Sequence, residues 1–399
     1  MASINFGFLI AAFTGLLESP STGIKVSDRC FTYASERWIK MDRAHGKTRG
    51  VGTLTPMIRS KHLQTPKSKT RLGNRQRQRL RQLFWIALFL SVSFGSVPAA
   101  AQSYAYVPTH KSNSVSVINT STRSVIALVP VGIQPLQAAI SPDGAFAFVT
   151  DSGWFYPNND VSVISTATNS VVATIPVGRF PVGVAFTPNG ALAYVVNQNS
   201  NNVSVIDTTA RTVVATVNVG VNPWGVAVTP NGSFAYVTNQ VSNNVSLIDT
   251  AANSVIATIP VGSNPTGLTI TPDGAFVYVT NYSSNSISVI STATNTVVST
   301  IAVGNAPIAV AITPNGKFVY VPNSVDSTVS VINTATNTVV AQVIVGSVPR
   351  GVAITPDGAF AYVSNRMSND VSVINTATNT LAATVLGVAA LPEGLAIKP

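Results

Sequence analysis

Cysteine is all but missing from this chain. Cys30 is the only one in 399 residues, and it lies in the first quarter of the sequence. From residue 102 onward there is none, so that part of the protein has no disulfide and its stability must come from packing. Histidine is almost as scarce, with His110 standing alone after residue 102. That count excludes a histidine-built zinc site, and it leaves a Ser-His-Asp or Cys-His nucleophile system a single candidate base. The glycines follow no GxxxxGK(S/T) or dinucleotide-binding pattern in a strand-to-helix context; they sit at turn positions. The regular acidic spacing of a calcium loop is absent too. No stretch beyond residue 102 shows helical periodicity over two turns, which excludes a helical or α/β domain there.

What the chain has instead is a repeat. Pro-(Asp/Asn)-Gly occurs at Pro142-Asp143-Gly144, Pro188-Asn189-Gly190, Pro230-Asn231-Gly232, Pro272-Asp273-Gly274, Pro314-Asn315-Gly316 and Pro356-Asp357-Gly358. Successive prolines are 46, 42, 42, 42 and 42 residues apart, a fixed period that marks a repeat architecture. In the unit 271–312, Pro272 pre-sets φ for a tight turn and Gly274 supplies the permissive backbone after it. Four runs rich in β-branched and aromatic residues follow, at 275–280, 287–291, 296–303 and 308–312, each bounded by Gly, Pro, Asn or Ser. Four short strands per unit of this length form a propeller blade. The Tyr/Phe-Val strand recurs at Tyr106, Phe148, Tyr194, Tyr236, Tyr278, Tyr320 and Tyr362, which makes seven. The strand before the turn also recurs seven times, around Ala138, Val184, Val226, Leu268, Val310, Val352 and Leu395. The two registers are offset. The sequence therefore predicts an all-β fold: a seven-bladed β-propeller of four antiparallel strands per blade. Its final strand completes the blade begun by residues 104–131 and so removes the free edges.

Ala-Tyr-Val-Thr-Asn at 235–239, Val-Tyr-Val-Thr-Asn at 277–281 and the variants at 193–197 and 361–365 carry a family resemblance, as do Asn-Val-Ser-Val-Ile-Asp at 202–207 and Val-Val-Ala-Thr-Ile-Pro-Val-Gly at 171–178. With these motifs, residues 104–399 resemble the YVTN-type seven-bladed propellers. The resemblance implies the fold and an extracytoplasmic or surface-layer setting. It also implies a likeness in fold to lactonase-like and quinoprotein-like propellers, which does not by itself imply an activity.

The formal charge of +10 is unevenly distributed. Residues 102–399 hold eight bases and ten acids, a net −2, while the segment before them holds 16 bases and four acids, a net +12. The basic balance therefore belongs to the leader and is no sign of nucleic-acid binding. Within 75–101 it takes a recognisable form: Arg75, Arg77, Arg79 and Arg81, an apolar core from Leu83, then Ala99-Ala100-Ala101. This is a signal peptide with cleavage expected after Ala101; the alternative is an uncleaved anchor, for which the apolar core is short. Residues 1–74 are basic and unpatterned, and are read either as upstream sequence that is not translated, with an internal start such as Met57, or as a long extension.

The acids of the repeat are mostly turn residues. Asp143, Asp273 and Asp357 share a position with Asn189, Asn231 and Asn315, and Asp207 and Asp249 share one with Ser165, Ser291, Asn333 and Asn375. An acid that exchanges with amides and hydroxyls is capping backbone. His110 reads as a solvated loop residue. The departures from the repeat carry more information. Loops after the Tyr-Val-Thr-Asn strand and loops around Val-Gly-x-x-Pro are expected to share the face at the mouth of the channel, where a propeller binds. One copy of the first set is four residues longer and carries Trp154, Phe155 and Tyr156. In the second set stand Arg179, Phe180, Trp224, Arg350 and Glu393, where other copies have Val182, Thr266 or Ile308. Arg and Trp are favoured anchors of binding surfaces, and these eight residues form the candidate ligand or partner site. In the structural alternative, residues 154–156 plug the channel and Trp224 packs between blades.

The expected role is a non-catalytic, exported monomer that binds a protein or a cell-envelope component. It would use no cofactor, metal or nucleic acid and keep no membrane span after cleavage. One alternative is a lactonase-like or quinone-cofactor enzyme with Arg179, Arg350 and Glu393 at the channel mouth. The other is single-stranded nucleic-acid binding through aromatics and arginines, which the net negative charge disfavours. Protein recovered from the periplasm, cell surface or medium should begin at Gln102 on N-terminal sequencing; a retained 75–101 segment would mean an anchor instead.

Overall fold

The computed structural model describes residues 102–153 and 159–398. The leader, the signal-peptide stretch and Trp154, Phe155 and Tyr156 lie outside the described residues. Within them the chain forms seven four-stranded antiparallel sheets set in a ring, the seven-bladed propeller that the repeat predicts. One short turn of 3-10 helix, Gln198–Ser200, is the only helical element among the described residues. The ring closes as the offset registers require. Ala396–Lys398 pairs with Tyr104–Thr109, which pairs with Ser114–Asn119 and then Ser124–Pro130, to make blade 1. Lys398 Nζ reaches Thr166 Oγ1 of blade 2 at 3.1 Å, tying the tail across the seam.

Each residue of the Tyr-Val-Thr-Asn strand has a distinct task. The tyrosine is buried, and its hydroxyl crosses to the next blade. Tyr106 donates to Asn169, Tyr194 to Asn253, Tyr236 to Asn295, Tyr278 to Asn337 and Tyr320 to Asn379, at 2.6–3.1 Å. Every acceptor sits at a left-handed turn position, where Asn is the favoured non-glycine residue. Burial pushes Tyr106, Tyr194, Tyr278 and Tyr320 to about 12, so their hydroxyls stay donors at any ordinary pH. The valine fills the core between blades; Val277 and Val279 of one blade meet Leu247 and Ile259 of the previous one. Fully burying such a side chain is worth roughly 1.5–3 kcal/mol. The threonine hydroxyl reaches the inner strand of the neighbouring blade, as Thr238 Oγ1 does to the Thr266 carbonyl at 2.6 Å. The asparagine locks its own blade: Asn239 donates to Asn244 and Ser246 of the third strand. Its amide also fills the space beside Gly220, where a Cβ would lie 2.6 Å from it, so the glycine of Val-Gly-x-x-Pro is a steric requirement.

Two features shape the inner strands that line the channel. The first is a break in register just after the proline, between Pro223 and Val226, Pro265 and Leu268, and Pro349 and Val352, for example. Such a bulge re-aims the skipped residues, here the position after each proline. The second is proline in the adjoining strand. The inner strand of the sixth blade, expected over 308–312, is regular only at Ala311–Ile312. Pro322 stands where blades 2, 4 and 5 carry Thr and has no N–H for the ladder. The Ile308 carbonyl turns instead to the Gly267 amide at 2.9 Å. Pro108 acts the same way in blade 1. The Glu393 amide donates to its carbonyl, as the Ile308 amide does to that of Pro322, and the Glu393 carbonyl takes the Ser364 hydroxyl of blade 7; separately, the Gly394 amide crosses to the Leu136 carbonyl of blade 2.

The turn chemistry is as expected. Asp143 Oδ1 accepts from Ser141 and from the Ala145 amide, Asp273 and Asp357 repeat the pattern, and those donors hold the three carboxyls below the usual range. Asp207 and Asp249 likewise accept from backbone amides two and three residues on.

Deleting residues 391–399 removes the inner strand of blade 1 together with the bonds at Pro108, Leu136 and Thr166. The truncated protein should unfold at a clearly lower temperature and associate on size-exclusion chromatography; a monomer with an unchanged midpoint would contradict closure by this strand.

Candidate functional site at the channel mouth

Seven residues stand at the aligned position after the inner-strand prolines, one in each blade: Leu136, Val182, Trp224, Thr266, Ile308, Arg350 and Glu393. All except Thr266 line a cavity of about 130 Å³. The ring is lopsided. From blade 2 to blade 4 it is apolar, and Leu136 and Trp224 pack there against the buried cluster of Phe180, Val182 and Val226. At blades 7 and 1 it is charged. Below it the channel wall is nearly bare backbone, because Gly183, Gly225, Gly267, Gly351 and Gly394 face neighbouring inner strands with no room for a Cβ. Gln137 departs from this pattern. Its amide oxygen fills the space beside Gly394, where a Cβ would meet it at 1.4 Å.

The charged half centres on Glu393, which is 8% exposed. Arg366 Nε donates to Glu393 Oε1 at 2.5 Å, and Arg350 Nε lies 3.7 Å from Oε2. Arg350 Nε is buried without a hydrogen-bond partner. Ser364 Oγ donates to the Glu393 carbonyl, which fixes the backbone from the blade 7 side. His110 completes the group. Its amide donates to the Leu391 carbonyl at 2.9 Å, which brings the loop after the first blade's second strand against the returning tail. Burial, with help from the Arg366 and Arg350 charges, holds the imidazole below its ordinary pKa, while the Glu393 charge pulls it upward. At neutral pH it is therefore a neutral base with two cations and a carboxylate nearby.

The structure brings together part of what the sequence proposed. Trp224, Arg350 and Glu393 line one cavity. Trp224 also packs between blades, as the structural alternative expected. Phe180 is a correction. It is 4% exposed and lies in the hydrophobic core, with its backbone in the left-handed region at φ 56°. Its place in the loop suggested a rim residue, but the turn directs its side chain inward. Arg179 is exposed and does not line the cavity; its backbone amide bonds Ser200 Oγ at 2.8 Å. His110, expected as a solvated loop residue, is half-buried beside Glu393. Arg366 was missed, although its register was visible: it directly follows the Asn of the last Tyr-Val-Ser-Asn strand, as His110 follows Thr109 in the first. Among the described residues no group of three or more His, Cys, Asp or Glu side chains could hold a metal.

A family model described as lactonase, 7-bladed beta-propeller, matches residues 292–398, and one described as the cytochrome D1 heme domain matches residues 187–309. No curated protein matches the chain. Hydrazine synthase of Kuenenia stuttgartiensis is 25% identical, over 68% of this chain and 92% of its own, with a TM-score of 0.62. The periplasmic gluconolactonase of Pseudomonas aeruginosa is 18% identical, over 75% of this chain and 99% of its own, with a TM-score of 0.64. A putative 6-phosphogluconolactonase from Bacteroides uniformis is 18% identical, over 74% and 99%, with a TM-score of 0.63. Fold and matches together define the class: a seven-bladed β-propeller. Neither matching model names the YVTN-type repeat. A haem does not fit the channel of this chain. Its cavity of about 130 Å³ is below the roughly 300–1,000 Å³ of ordinary ligand pockets.

Glu393→Gln removes the one charge that raises the His110 pKa. Followed by NMR, the His110 ring protons should titrate at lower pH in the variant than in the parent. An unchanged or higher value would mean that Glu393 and His110 are not neighbours in solution.

Proposed function

We propose that the channel mouth is a small-molecule site of the lactonase-like kind, opening a cyclic ester, in preference to the non-catalytic scaffold that the sequence favours. The observation that carries this reading is Arg350. Its Nε is buried at the channel mouth without an acceptor, beside a carboxylate already held by Arg366. A guanidinium donor left unpaired where a ligand would sit is costly unless an anionic or carbonyl oxygen completes it. In this reading Arg350 donates to the ester carbonyl and holds the oxyanion that forms when water attacks. His110, neutral at pH 7, takes the proton of that water. Glu393, clamped by Arg366, fixes Arg350. Trp224 and Leu136 offer an apolar wall to the ring of the substrate. The matching lactonase description and the gluconolactonases of like fold support the reading.

One observation favours the scaffold instead: the cavity, about 130 Å³, is small for a sugar-sized ligand. Hydrolysis of δ- and γ-lactones, glucono-δ-lactone first, distinguishes the two when followed by pH-stat against the spontaneous rate. Arg350→Ala and His110→Ala should each lower kcat by about 10²-fold or more, with thermal midpoints near that of the parent. A parent protein that accelerates none of these lactones would sink the enzyme reading. Partner binding that is lost in Trp224→Ala and Arg350→Ala would then support the scaffold.

A further inference from the structure

Five blades place an amide opposite an acceptor at the end of the second strand. Asn197 donates to Asn202, Asn239 to Asn244, Asn281 to Ser286, Asn323 to Thr328 and Asn365 to Asp370, at 2.6–3.2 Å. Blade 1 uses Thr109, which donates to Ser114. Blade 2 alone sets an acid against an acid, with Asp151 paired to Asp160 in the same register. Asp151 is fully buried. Ser162 Oγ donates to its Oδ2 at 2.6 Å, whereas its Oδ1 and Asp160 Oδ1 have no hydrogen-bond partner. The Ser162 hydroxyl and the Gly132 amide are the donors to Asp151, Asp160 is only half-buried, and a like-charged pair this close, one member of it fully buried, resists double ionisation.

We propose that Asp151 and Asp160 share a single proton, and that this pair is a pH-sensitive lock holding blade 2 to the wall of the channel. The proton supplies the donor that asparagine supplies elsewhere. Burial pushes Asp151 up to about 8, with Asp160 adding to the shift and the Ser162 hydroxyl opposing it. Burial raises Asp160 as well. On the turn side Asp151 abuts Gly132, where a Cβ would lie 2.6 Å from its carboxyl. On the blade 1 side, His110 and Lys111 share a recess with Ile133 and Gln134, and neither forms an ion pair with either acid among the described residues. The route to the channel is short. Asp151 pairs with Pro135, and the Ser152 amide donates to the Gln134 carbonyl at 3.2 Å. The same inner strand continues into Leu136, whose carbonyl receives the Gly394 amide next to Glu393. When the proton leaves, two like charges face each other at the root of that strand.

The sign follows from linkage. Between the ordinary carboxylate range and about pH 8 the folded chain keeps a proton that the unfolded chain has lost. Stability therefore falls as pH rises through that window and levels off above it. Asp151→Asn recreates the Asn365–Asp370 arrangement of blade 7 and so should fold. Thermal and urea unfolding of the purified chain from pH 4 to 9 reads the effect. Parent and variant should agree near pH 4. The variant should then gain over the parent by up to about tenfold in the folding equilibrium per pH unit, with no further gain above pH 8. Asp370→Asn, whose partner is already an amide, should run parallel to the parent. Exchange of the Gly394 amide, taken as the ratio of parent to Asp151→Asn at each pH, should rise over the same window. Parallel stability profiles for parent and Asp151→Asn would overturn the shared proton. Diverging profiles with a flat Gly394 ratio would overturn the link to the channel. This inference does not depend on the lactonase reading.

Discussion

Six of the seven blades are held to the next by a tyrosine hydroxyl buried on one sheet and accepted by a turn on its neighbour. The bond ties the core position of a strand to the backbone of an outer turn. It is made where both partners already sit, so it costs little further ordering. Its two departures are paired substitutions. Where blade 2 carries Phe148, blade 3 carries Arg211 in place of the accepting Asn. Arg211 lies over the Phe146 ring at 5.1 Å, and Phe148 packs edge-on against Phe186 at 4.8 Å. At the seam, blade 1 carries Arg123 in place of Asn. It lies over Phe360 at 4.8 Å, and Tyr362 turns to the Thr120 carbonyl. In both places a cation over a ring stands where the accepting Asn would be, and the seven-fold geometry is kept. With no cysteine beyond residue 102, these contacts and the apolar faces they align are what hold the ring closed.

The repeat explains the scaffold, and its lapses explain the site. Seven near-identical units would give seven identical channel residues and no preferred side. Proline at 108 and 322 removes a ladder donor, and the inner strands beside them let backbone groups turn to the adjacent blade. The seam adds a second asymmetry. Because the last strand joins the first blade, Glu393 from the tail meets His110 from the head and Arg350 and Arg366 from blade 7. Among the described residues, the concentration of charge in the channel lies where the chain closes on itself, opposite an apolar half built by Leu136, Val182 and Trp224.

Acidic residues show how position governs chemistry here. Asp143, Asp273 and Asp357 stand in exposed turns, satisfied by a hydroxyl and a backbone amide, and are held as anions. Asp151 is the same residue type at a position built for an amide, and burial holds its proton instead. Phe180 makes a parallel point for apolar residues. It occupies a loop position that other blades fill with Gln134, Asn222 or Asn264, yet its side chain enters the core.

The sequence by itself determined the blade count, the four strands of each blade, the turn roles of the aspartates and the closure by the final strand. Those features rest on local periodicity and turn chemistry, which a repeat states several times over. It also marked Trp224, Arg350 and Glu393, because each breaks the repeat at one aligned position. The tertiary structure alone decided that Arg366 and His110 belong with them, that Arg179 does not, that Phe180 is core, and that Asp151 faces Asp160. Those outcomes depend on which way a bulge or a left-handed turn sends a side chain, and on which blades the ring makes neighbours. Neither is written in the spacing of residues along the chain.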